Sequence, residues 1–220
     1  MQHKAGVYEK YIKRLLDIVL SGCALIVLSP VLLVTAVLVR IKLGSPVIFC
    51  QERPGRDEKV FMLHKFRSMS DERDANGELL PDEERLGRFG SALRSTSLDE
   101  LPELWDIFRG KMSIIGPRPL LVKYLPYYTD EERHRHDVRP GLTGLAQING
   151  RNCVSWEEKF SYDLQYASTV SFCGDFNILL RTVAVALSHS GIQLNAQEDF
   201  DIYRSGDNGA NIQTDGACIK

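Results

Sequence analysis

The stretch 18–39 reads IVLSGCALIVLSPVLLVTAVLV: it contains no charged residue, and Ser29-Pro30 lies in its middle. A helix of this length, rising about 1.5 Å per residue, could cross a hydrocarbon core of roughly 30 Å. Pro30 interrupts that helix, because proline lacks a backbone N–H and its ring clashes with the preceding turn. The Ser29 hydroxyl can bond a carbonyl that Pro30 leaves without a donor. The stretch therefore predicts a membrane helix that breaks at Ser29-Pro30.

Basic residues flank this stretch on both sides. They are Lys10, Lys13 and Arg14 before it and Arg40, Lys42, Arg53 and Arg56 after it. Cationic flanks favour the cytoplasmic side of a membrane, and a helix that enters and leaves on the same side satisfies both flanks. We therefore predict a re-entrant helix pair that dips into one leaflet. A kinked spanning helix and a buried helix of a soluble core are the alternatives, whereas the stretch is too long for a cleaved signal peptide.

Composition narrows the function classes. The 220 residues carry a formal net charge of -2, and no basic strand with interleaved aromatic residues occurs, so the sequence does not predict nucleic-acid binding. The five cysteines have no C-x-x-C spacing, which is typical of reduced thiols rather than of a disulfide framework. We expect 1–45 to hold the membrane helix and its flanks, 46–194 to form one domain, and 195–220 to be a polar, disordered tail.

Local patterns predict the elements of the domain. The turn Arg53-Pro54-Gly55-Arg56 separates β-like runs at 47–51 and 60–66, which indicates a β-hairpin. Helical patterns occur at 81–93, 97–110, 120–128, 131–138, 156–167 and 177–188, and 139–150 reads as a glycine-rich loop. The predicted fold is an α-rich α+β protein. It has an N-terminal re-entrant membrane helix pair and a compact helical domain with a small β-hairpin and amphipathic helices at the membrane interface.

Adjacent carboxylates at Asp99 and Glu100 are the leading catalytic candidates. Ser97 with Glu100 three residues later forms a capping-box pattern, which places Asp99 in the first turn of a helix. Backbone N–H groups and the helix dipole favour an ionised carboxylate there, and the same helix end could receive a phosphate group. An ionised aspartate can attack an electrophilic phosphorus. Helix capping without catalysis is the alternative reading.

The same predicted helix carries an apolar stripe. It consists of Leu101, Leu104, Trp105 and Phe108, and Gly110 ends the helix. The stripe suits a protein core, which we favour, or a wet membrane interface, where tryptophan is frequent.

Four arginines accompany the acidic pair in sequence: Arg94, Arg118, Arg139 and Arg151. Arginine binds phosphate through two parallel hydrogen bonds, although a solvated surface position would explain any one of them. Arg118 is the strongest candidate, because Pro117 and Pro119 fix the backbone on both sides of it. A diphosphate substrate would repel a carboxylate nucleophile, so we expect Mg²⁺ to be held by Asp99, Glu100 or both.

Four motifs in fixed order resemble those of the bacterial sugar transferase family. They are KFRSM at 65–69, SLDELP at 97–102, MSIIGPRP at 112–119 and VRPGLTG at 138–144. The likeness covers about residues 7–190 and is closest to the small, monotopic form, which has a catalytic domain and no additional spanning helices. It implies that 46–194 is a polyprenyl-phosphate phosphoglycosyl transferase domain.

The resemblance also implies a reaction and its residues. A UDP-sugar gives its sugar-1-phosphate to undecaprenyl phosphate and releases UMP, on the cytoplasmic face of the bacterial inner membrane. The family's nucleophile matches Asp99, its magnesium-associated partner matches Glu100, and its helix break matches Ser29-Pro30. Its phosphate-contacting residues match Lys65, Arg94 and Arg118. Downstream glycosyltransferases are further expected partners.

The sequence is also compatible with two alternative functions. Asp99 could hold the metal while transfer occurs directly in a ternary complex, or the chain could be a non-catalytic membrane scaffold for glycosyltransferases. The sequence does not identify the sugar: diacetylbacillosamine, GlcNAc, GalNAc and galactose are all compatible with it, with the first slightly favoured.

Overall fold

A computed structural model provides the structure of the protein and describes residues 5–150, 154–187 and 199–205. The fold is helix-rich with two small two-stranded sheets, which confirms the predicted fold class at that level. Two compact units are present. The dyad unit, named for Asp99-Glu100, contains Leu16–Glu52 and Met62–Met112. The Pro-Arg-Pro unit contains Met1–Leu15, Arg53–Phe61 and Ser113–Lys220.

The apolar stretch forms two helices. A π-helical turn at Tyr8–Ile12 leads into α1 (Lys13–Val27), and α2 (Ser29–Leu43) follows at an angle of 63°. The Ser29 hydroxyl donates to the Ile26 carbonyl at 2.7 Å, and Ile26 is the residue to which a backbone N–H at position 30 would have bonded. The helix is therefore broken at Leu28, directly before Ser29-Pro30.

The length and composition of this helix pair suit a membrane. Among the described residues no single helix is both long and apolar enough to cross one, but Tyr8–Val27 and Ser29–Leu43 together meet both criteria. Large apolar side chains remain exposed on the pair, for example Ile26 at 75% and Leu33 at 67%. The re-entrant course itself stays a prediction.

The β-hairpin predicted around residues 53–56 is confirmed. Strands β1 (Ile48–Pro54) and β2 (Val60–Phe66) pair, and a 3-10 turn at Arg56–Glu58 connects them. The division into units assigns the hairpin tip, Arg53–Phe61, to the Pro-Arg-Pro unit.

A close contact joins β2 to the next helix in the dyad unit. Helix α3 (Asp82–Ser95) bends at Gly87, which has φ 53°. Gly90 lies against the end of β2, where an added Cβ would be 1.9 Å from the Ser68 carbonyl oxygen. Only glycine allows this approach, because any side chain at position 90 would push α3 away from the KFRSM segment.

The predicted capping box at Ser97 is wrong. Ser97 adopts a left-handed conformation with φ 55°, and its side chain makes no capping hydrogen bond. Leu98–Glu100 forms a single 3-10 turn, and α4 (Glu103–Phe108) begins after Pro102. A proline is favoured next to a helix start because it has no N–H to leave unsatisfied, so the helix begins there rather than at Ser97.

The predicted apolar stripe of α4 divides between two environments. Leu104 is buried, whereas Trp105 and Phe108 are exposed at 46% and 39%. The rings of Trp105 and Phe108 stack with centroids 5.8 Å apart. The favoured assignment of the whole stripe to the core is therefore wrong for these two residues, because the short helix turns them outward.

The Pro-Arg-Pro unit contains a second sheet that the sequence did not predict. Strands β3 (Ser113–Ile115) and β4 (Gly141–Thr143) pair in parallel, and α5 (Leu145–Ile148) follows. The predicted loop at 139–150 is thus a strand and a short helix. Gly141 permits the pairing, because an added Cβ would lie 2.1 Å from the Gly116 nitrogen.

Helices complete this unit. Turns at Val122–Tyr127 and Glu132–His136 are 3-10 helices, and α6 (Trp156–Ser168) begins with a capping box between Ser155 and Glu158. Helix α7 (Phe172–Leu187) begins earlier than predicted. It exposes an apolar stripe that comprises Phe172, Phe176, Leu180 and Val183.

Part of the predicted disordered tail is helical. Residues 200–205 form α8 (Phe200–Ser205), and the remainder of 195–220 lies outside the described residues apart from position 199. Phe200 is fully buried in an aromatic cluster with Tyr124, Tyr128, Trp156 and Phe160. Disorder is therefore wrong for this segment, because one large apolar residue anchors an otherwise polar sequence.

Candidate active site

The predicted site residues are distributed over both units. Lys65, Arg94, Asp99 and Glu100 belong to the dyad unit, and Arg118 and Arg139 belong to the Pro-Arg-Pro unit. Arg151 lies outside the described residues. The roles of all these residues stay predictions.

Asp99 lies in the 3-10 turn between two anchored leucines. Leu98 and Leu101 pack against the cluster formed by Val39 of α2 with Phe66 and Leu93. Asp99 itself is buried, with only 7% of its surface exposed. The turn is therefore fixed on both sides of the carboxylate, and the second limb of the broken helix contributes to its support.

Lys65 at the end of β2 binds two carboxylates. Its Nζ lies 2.9 Å from Oε1 of Glu100 and 3.1 Å from Oε1 of Glu103. Glu103 is almost completely buried, at 3% exposure. A buried carboxylate requires such a partner, so Lys65 both neutralises Glu103 and fixes the Glu100 side chain.

A neighbouring pair repeats this arrangement. His64 Nδ1 lies 2.8 Å from Oδ1 of Asp106, and the His64 backbone N–H donates to Oδ2 at 3.0 Å. Burial raises the pKa of the Asp106 carboxyl, while its bonds to His64 act in the opposite direction. Sequence reasoning did not identify Glu103 and Asp106 as buried carboxylates that pair with β2 near the dyad. Their i, i+3 spacing after Pro102, beside the consecutive His64 and Lys65, was the available signal.

Arg94 is tied to the KFRSM segment. Its Nε donates to the Ser68 hydroxyl at 3.0 Å, next to the close contact at Gly90. Two predicted phosphate ligands of the dyad unit therefore meet at residues 65–68. Lys65 belongs to this segment and also binds Glu100, and Arg94 of α3 bonds to Ser68.

Guanidinium groups hold the backbone of the Pro-Arg-Pro turn. Arg135 Nη2 donates to the Arg118 carbonyl at 2.8 Å, and Arg53 Nη1 donates to the Pro119 carbonyl at 3.3 Å. Arg135 in turn binds Asp163 through Nε at 3.0 Å and Nη2 at 2.6 Å. Sequence reasoning missed Arg135 and Asp163, because they lie in separate elements with no motif between them.

The predicted arginine at position 139 adjoins the same turn. Its neighbour Pro140 accepts a bond from the Ser113 N–H at 2.8 Å, and the Gly141 N–H donates to the Pro117 carbonyl at 2.9 Å. The segments 116–119 and 139–141 are therefore side by side, which their separation in sequence did not show.

The dyad fits one kind of metal site. Within 5–150, 154–187 and 199–205, no three His, Cys, Asp or Glu side chains form a group that could hold a metal ion. Magnesium commonly takes only one or two protein carboxylates and completes its shell with water and substrate phosphates. Asp99 and Glu100 provide the two carboxylates that a magnesium site of this kind would use, and magnesium binding by them stays a prediction.

Sequence comparison agrees with the motifs. A profile described as Bacterial sugar transferase matches residues 8–189, which is most of the chain. The chain belongs to the bacterial sugar transferase family. Its members are enzymes, and the match includes the helix break, the dyad turn and the Pro-Arg-Pro turn.

Three proteins similar to this chain illustrate the range of sequence identity among its relatives. "Uncharacterized sugar transferase EpsL" of Bacillus subtilis is 50% identical over 182 residues, 83% of this chain and 90% of the relative. "UDP-glucose:undecaprenyl-phosphate glucose-1-phosphate transferase" of Klebsiella pneumoniae is 41% identical over 78% of this chain. "Undecaprenyl-phosphate galactose phosphotransferase" of Salmonella typhimurium is 34% identical over 83%.

The relatives differ in length. This sugar transferase matches 39% of the Klebsiella protein and 42% of the Salmonella protein, so it spans less than half of each, but it matches 90% of the Bacillus protein. The similarity to the proteins with named substrates therefore concerns one region of those longer chains.

Proposed function

We propose that this protein transfers a sugar-1-phosphate from a UDP-sugar to undecaprenyl phosphate and releases UMP, through a covalent intermediate on Asp99. It thereby performs the first membrane step in the assembly of a bacterial glycoconjugate. The names of the Klebsiella and Salmonella relatives support the reaction class.

One structural observation supports Asp99 as the nucleophile. Its turn is anchored by Leu98 and Leu101, while the adjacent Glu100 is held by Lys65 at 2.9 Å. A nucleophile must keep its orientation through two successive reactions, and a carboxylate on a fixed turn meets that requirement. Glu100 shares its cationic partner, Lys65, with the buried Glu103.

The proposed chemistry has two steps. In the first, a carboxylate oxygen of Asp99 attacks the sugar-bearing phosphorus of the UDP-sugar; an O–P bond forms, the bridging P–O bond breaks, and UMP leaves. In the second, a phosphate oxygen of undecaprenyl phosphate attacks the same phosphorus. The bond to Asp99 breaks, its carboxylate is regenerated, and undecaprenyl diphosphate sugar is the product.

Cationic groups are proposed to offset the charge of the phosphates. Lys65, Arg94, Arg118, Arg139 and Arg151 are the proposed phosphate ligands. Asp99 and Glu100 would hold Mg²⁺, which neutralises phosphate charge and stabilises the charge that develops on the leaving group when it is bound. Of these residues, Arg118 and Arg139 lie on the adjoining segments of the Pro-Arg-Pro unit.

The proposed location is the cytoplasmic face of the inner membrane. The broken helix pair with its basic flanks and the exposed apolar stripe of α7 support a seat in one leaflet. A lipid phosphate at the surface and a cytosolic UDP-sugar would both reach such an enzyme. Downstream glycosyltransferases, which use the lipid-linked product, are proposed partners.

Release of UMP tests the proposed reaction. The purified protein would be incubated with undecaprenyl phosphate and separately with UDP-glucose, UDP-galactose, UDP-GlcNAc, UDP-GalNAc and UDP-diacetylbacillosamine. With at least one donor we expect many UMP molecules per protein molecule when the lipid is present, and at most one UMP per protein molecule when it is absent. Absence of UMP with the entire panel under conditions where the protein is folded would favour a scaffold role.

Mass spectrometry separates the covalent route from its rival. Protein quenched with the active donor in the absence of lipid should gain the mass of one sugar phosphate, located by peptide mapping at Asp99. Direct transfer in a ternary complex predicts no such adduct and requires the lipid for any UMP release.

A further inference from the structure

The tail segment 199–205, which contains α8, is anchored by one aromatic side chain. Phe200 is fully buried in the Pro-Arg-Pro unit. Its ring centroid lies within 5.5 Å of four others, those of Tyr124, Tyr128, Trp156 and Phe160. These four rings form the walls of an aromatic pocket that Phe200 fills.

The pocket walls also pack against each other. Trp156 contacts Tyr124 with ring centroids 5.8 Å apart and Phe160 with centroids 5.9 Å apart, and Tyr128 lies 5.5 Å from Phe160. None of these contacts involves Phe200, so the walls support one another without the tail. All four wall residues lie within the region 8–189 that matches the family profile, whereas the tail segment follows it. The tail is therefore a separate piece of chain that fills a pocket of the family region.

Polar pairs surround the aromatic anchor. The Asp199 carboxylate accepts from Lys123 Nζ at 2.6 Å and from the Tyr124 hydroxyl at 3.0 Å. Two further pairs join the tail to the unit, namely Tyr203 with Glu157 and Arg204 with Glu132. The Lys123 and Asp199 side chains are 46% and 48% exposed, in contrast to the buried Phe200. A buried aromatic residue with a polar, exposed rim is the arrangement of a binding interface.

Two walls of the pocket also support Arg135. The guanidinium carbon of Arg135 lies 5.8 Å from the centre of the Tyr128 ring and 5.7 Å from that of Phe160. Its Nη2 donates to the Arg118 carbonyl at 2.8 Å. The rings that hold Phe200 therefore also hold the guanidinium that binds the backbone of the Pro-Arg-Pro turn.

We propose that the tail segment is a strap that positions the Pro-Arg-Pro turn, with Phe200 as its positioning residue. Phe200 fixes the rings of Tyr128 and Phe160. These rings hold Arg135, which in turn holds the Arg118 carbonyl. The strap rests on the proposed function only for its effect on substrate binding, because Arg118 is a proposed phosphate ligand there. Its effect on the conformation of the turn requires no substrate.

Two backbone amides report on this conformation. The Gly116 N–H donates to the Thr143 carbonyl at 2.8 Å, and the Gly141 N–H donates to the Pro117 carbonyl at 2.9 Å. Release of the strap should loosen the turn, so both amides should exchange with deuterium more rapidly. We expect exchange to accelerate by about two- to tenfold, the range for loss of one hydrogen bond.

Substitutions in the full chain release the strap. Phe200→Asp should expel it, because an ionised carboxylate is unstable among aromatic rings. Phe200→Ala adds no charge and leaves the pocket partly empty, so it provides the same test if Phe200→Asp fails to fold. Circular dichroism and thermal melting show which variants remain folded.

A matched control lies in the same short helix. Ile202 is 44% exposed, so Ile202→Asp introduces the same carboxylate into α8 outside the pocket. This control should leave the exchange of Gly116 and Gly141 unchanged. Equal acceleration in Ile202→Asp and Phe200→Asp would overturn the proposal.

A peptide supplied in trans tests the pocket directly. A peptide with the sequence of residues 199–205 and blocked termini should bind folded Phe200→Asp and return the exchange of both amides towards wild type. The same peptide carrying Phe200→Ala should not. A tail joined through a short connection is present at about millimolar effective concentration, so the peptide should bind wild type at least about tenfold more weakly than Phe200→Asp.

Substrate kinetics extend the test to the reaction. With an active donor, Phe200→Asp should raise the donor KM by about two- to tenfold and change kcat less, because the strap acts on a residue proposed to bind phosphate. The peptide with residues 199–205 should reverse this rise. An unchanged donor KM in active Phe200→Asp would overturn the proposal.

Amide exchange separates the strap from the proposed function. Faster exchange at Gly116 and Gly141 in a folded Phe200 variant, reversed by the peptide, supports the strap even if no donor yields UMP. Unchanged exchange in both Phe200→Asp and Phe200→Ala would overturn it. Equal affinity of the peptide for wild type and Phe200→Asp, or no recovery of the exchange with the peptide at millimolar concentration, would overturn it as well.

Discussion

Lys65 Nζ lies 2.9 Å from Oε1 of Glu100, the residue that follows Asp99. The same nitrogen lies 3.1 Å from Oε1 of the buried Glu103. One cation of β2 therefore fixes both the second carboxylate of the dyad and the first residue of α4. The conformation around Asp99 thus depends on charge pairing as well as on the apolar anchors Leu98 and Leu101.

Replacing Lys65 tests this dependence. Lys65→Met leaves Glu103 buried without its cation, and we expect a loss of about 2–3 kcal/mol in the free energy of unfolding, below the full value for a buried pair because Lys65 is partly exposed. Adding Glu103→Gln should restore most of this stability while activity stays low, because Glu100 still lacks its partner. Chemical denaturation in detergent gives both values, and equal stabilities of wild type and Lys65→Met would contradict the expectation.

Asp99→Asn tests the nucleophile. We expect UMP release to fall by about 10⁴-fold or more, as for loss of other catalytic nucleophiles, with no sugar-phosphate adduct in the mass spectrum. Asp106→Asn is the matched control, because Asp106 is also a buried aspartate of the dyad unit but pairs with His64. Adduct formation must persist in that control and disappear in Asp99→Asn, and an adduct in the latter would place the covalent step elsewhere.

The sequence predicted those features that depend on neighbouring residues. Ser29 and Pro30 determine their own helix break, and Arg53 to Arg56 lie at the predicted hairpin turn, because both effects are local. The failed capping box shows the limit: Ser97 has a suitable neighbour at position 100, but its left-handed backbone prevents the bond. A local pattern does not report such a conformation when packing on either side sets it.

The missed ion pairs have a common physical origin. Lys65 and Glu103, or Arg135 and Asp163, come together only after distant elements have packed. Burial makes these pairs necessary, since a lone charge in the interior is unstable, but one sequence gives no sign of which charges become buried. The parallel pairing of β3 with β4 also depends on the packing of distant segments. Each strand has only three residues, which is too short for a recognisable sequence pattern.

Pro30→Ala tests the broken helix. Alanine supplies the N–H that proline lacks, so the Ile26 carbonyl could accept a backbone bond and a straight helix becomes favourable. We expect a larger share of molecules to adopt a spanning course, with residue 5 and the catalytic domain on opposite sides. Labelling of a cysteine introduced at Gly6 in intact cells measures this share. Ser29→Ala is the control, because it removes one hydroxyl bond and retains the proline; labelling equal to wild type in Pro30→Ala would contradict the expectation.

His136 should make folding sensitive to acid. Burial, together with the charge of Arg135, lowers its pKa to about 3, and neither ring nitrogen has a hydrogen-bond partner among the described residues. The Glu58 carboxylate, 3.9 Å from His136 Nδ1, is bound by Arg133. The unfolded chain takes up a proton below about pH 6.5 whereas the folded chain stays neutral, so stability falls as the pH is lowered from 6.5 towards 3.

A phenylalanine at this position removes the titration. At pH 7, His136→Phe should cost little, because it replaces a ring without hydrogen bonds. At pH 5 it should be about 2 kcal/mol more stable relative to wild type than at pH 7. Denaturant unfolding at the two pH values measures this difference, and parallel changes in both proteins would exclude His136 as the source.

The pair of Arg135 and Asp163 allows stability to be separated from positioning. Asp163→Leu alone leaves a buried guanidinium without its carboxylate and should reduce the free energy of unfolding by about 3–5 kcal/mol. The double variant Arg135→Met with Asp163→Leu removes both charges and should recover most of that stability. It still lacks the bond to the Arg118 carbonyl, which is 2.8 Å long in the native protein. A stable double variant with a raised substrate KM would therefore show that Arg135 positions the Pro-Arg-Pro turn, whereas a wild-type KM would limit the pair to a structural role.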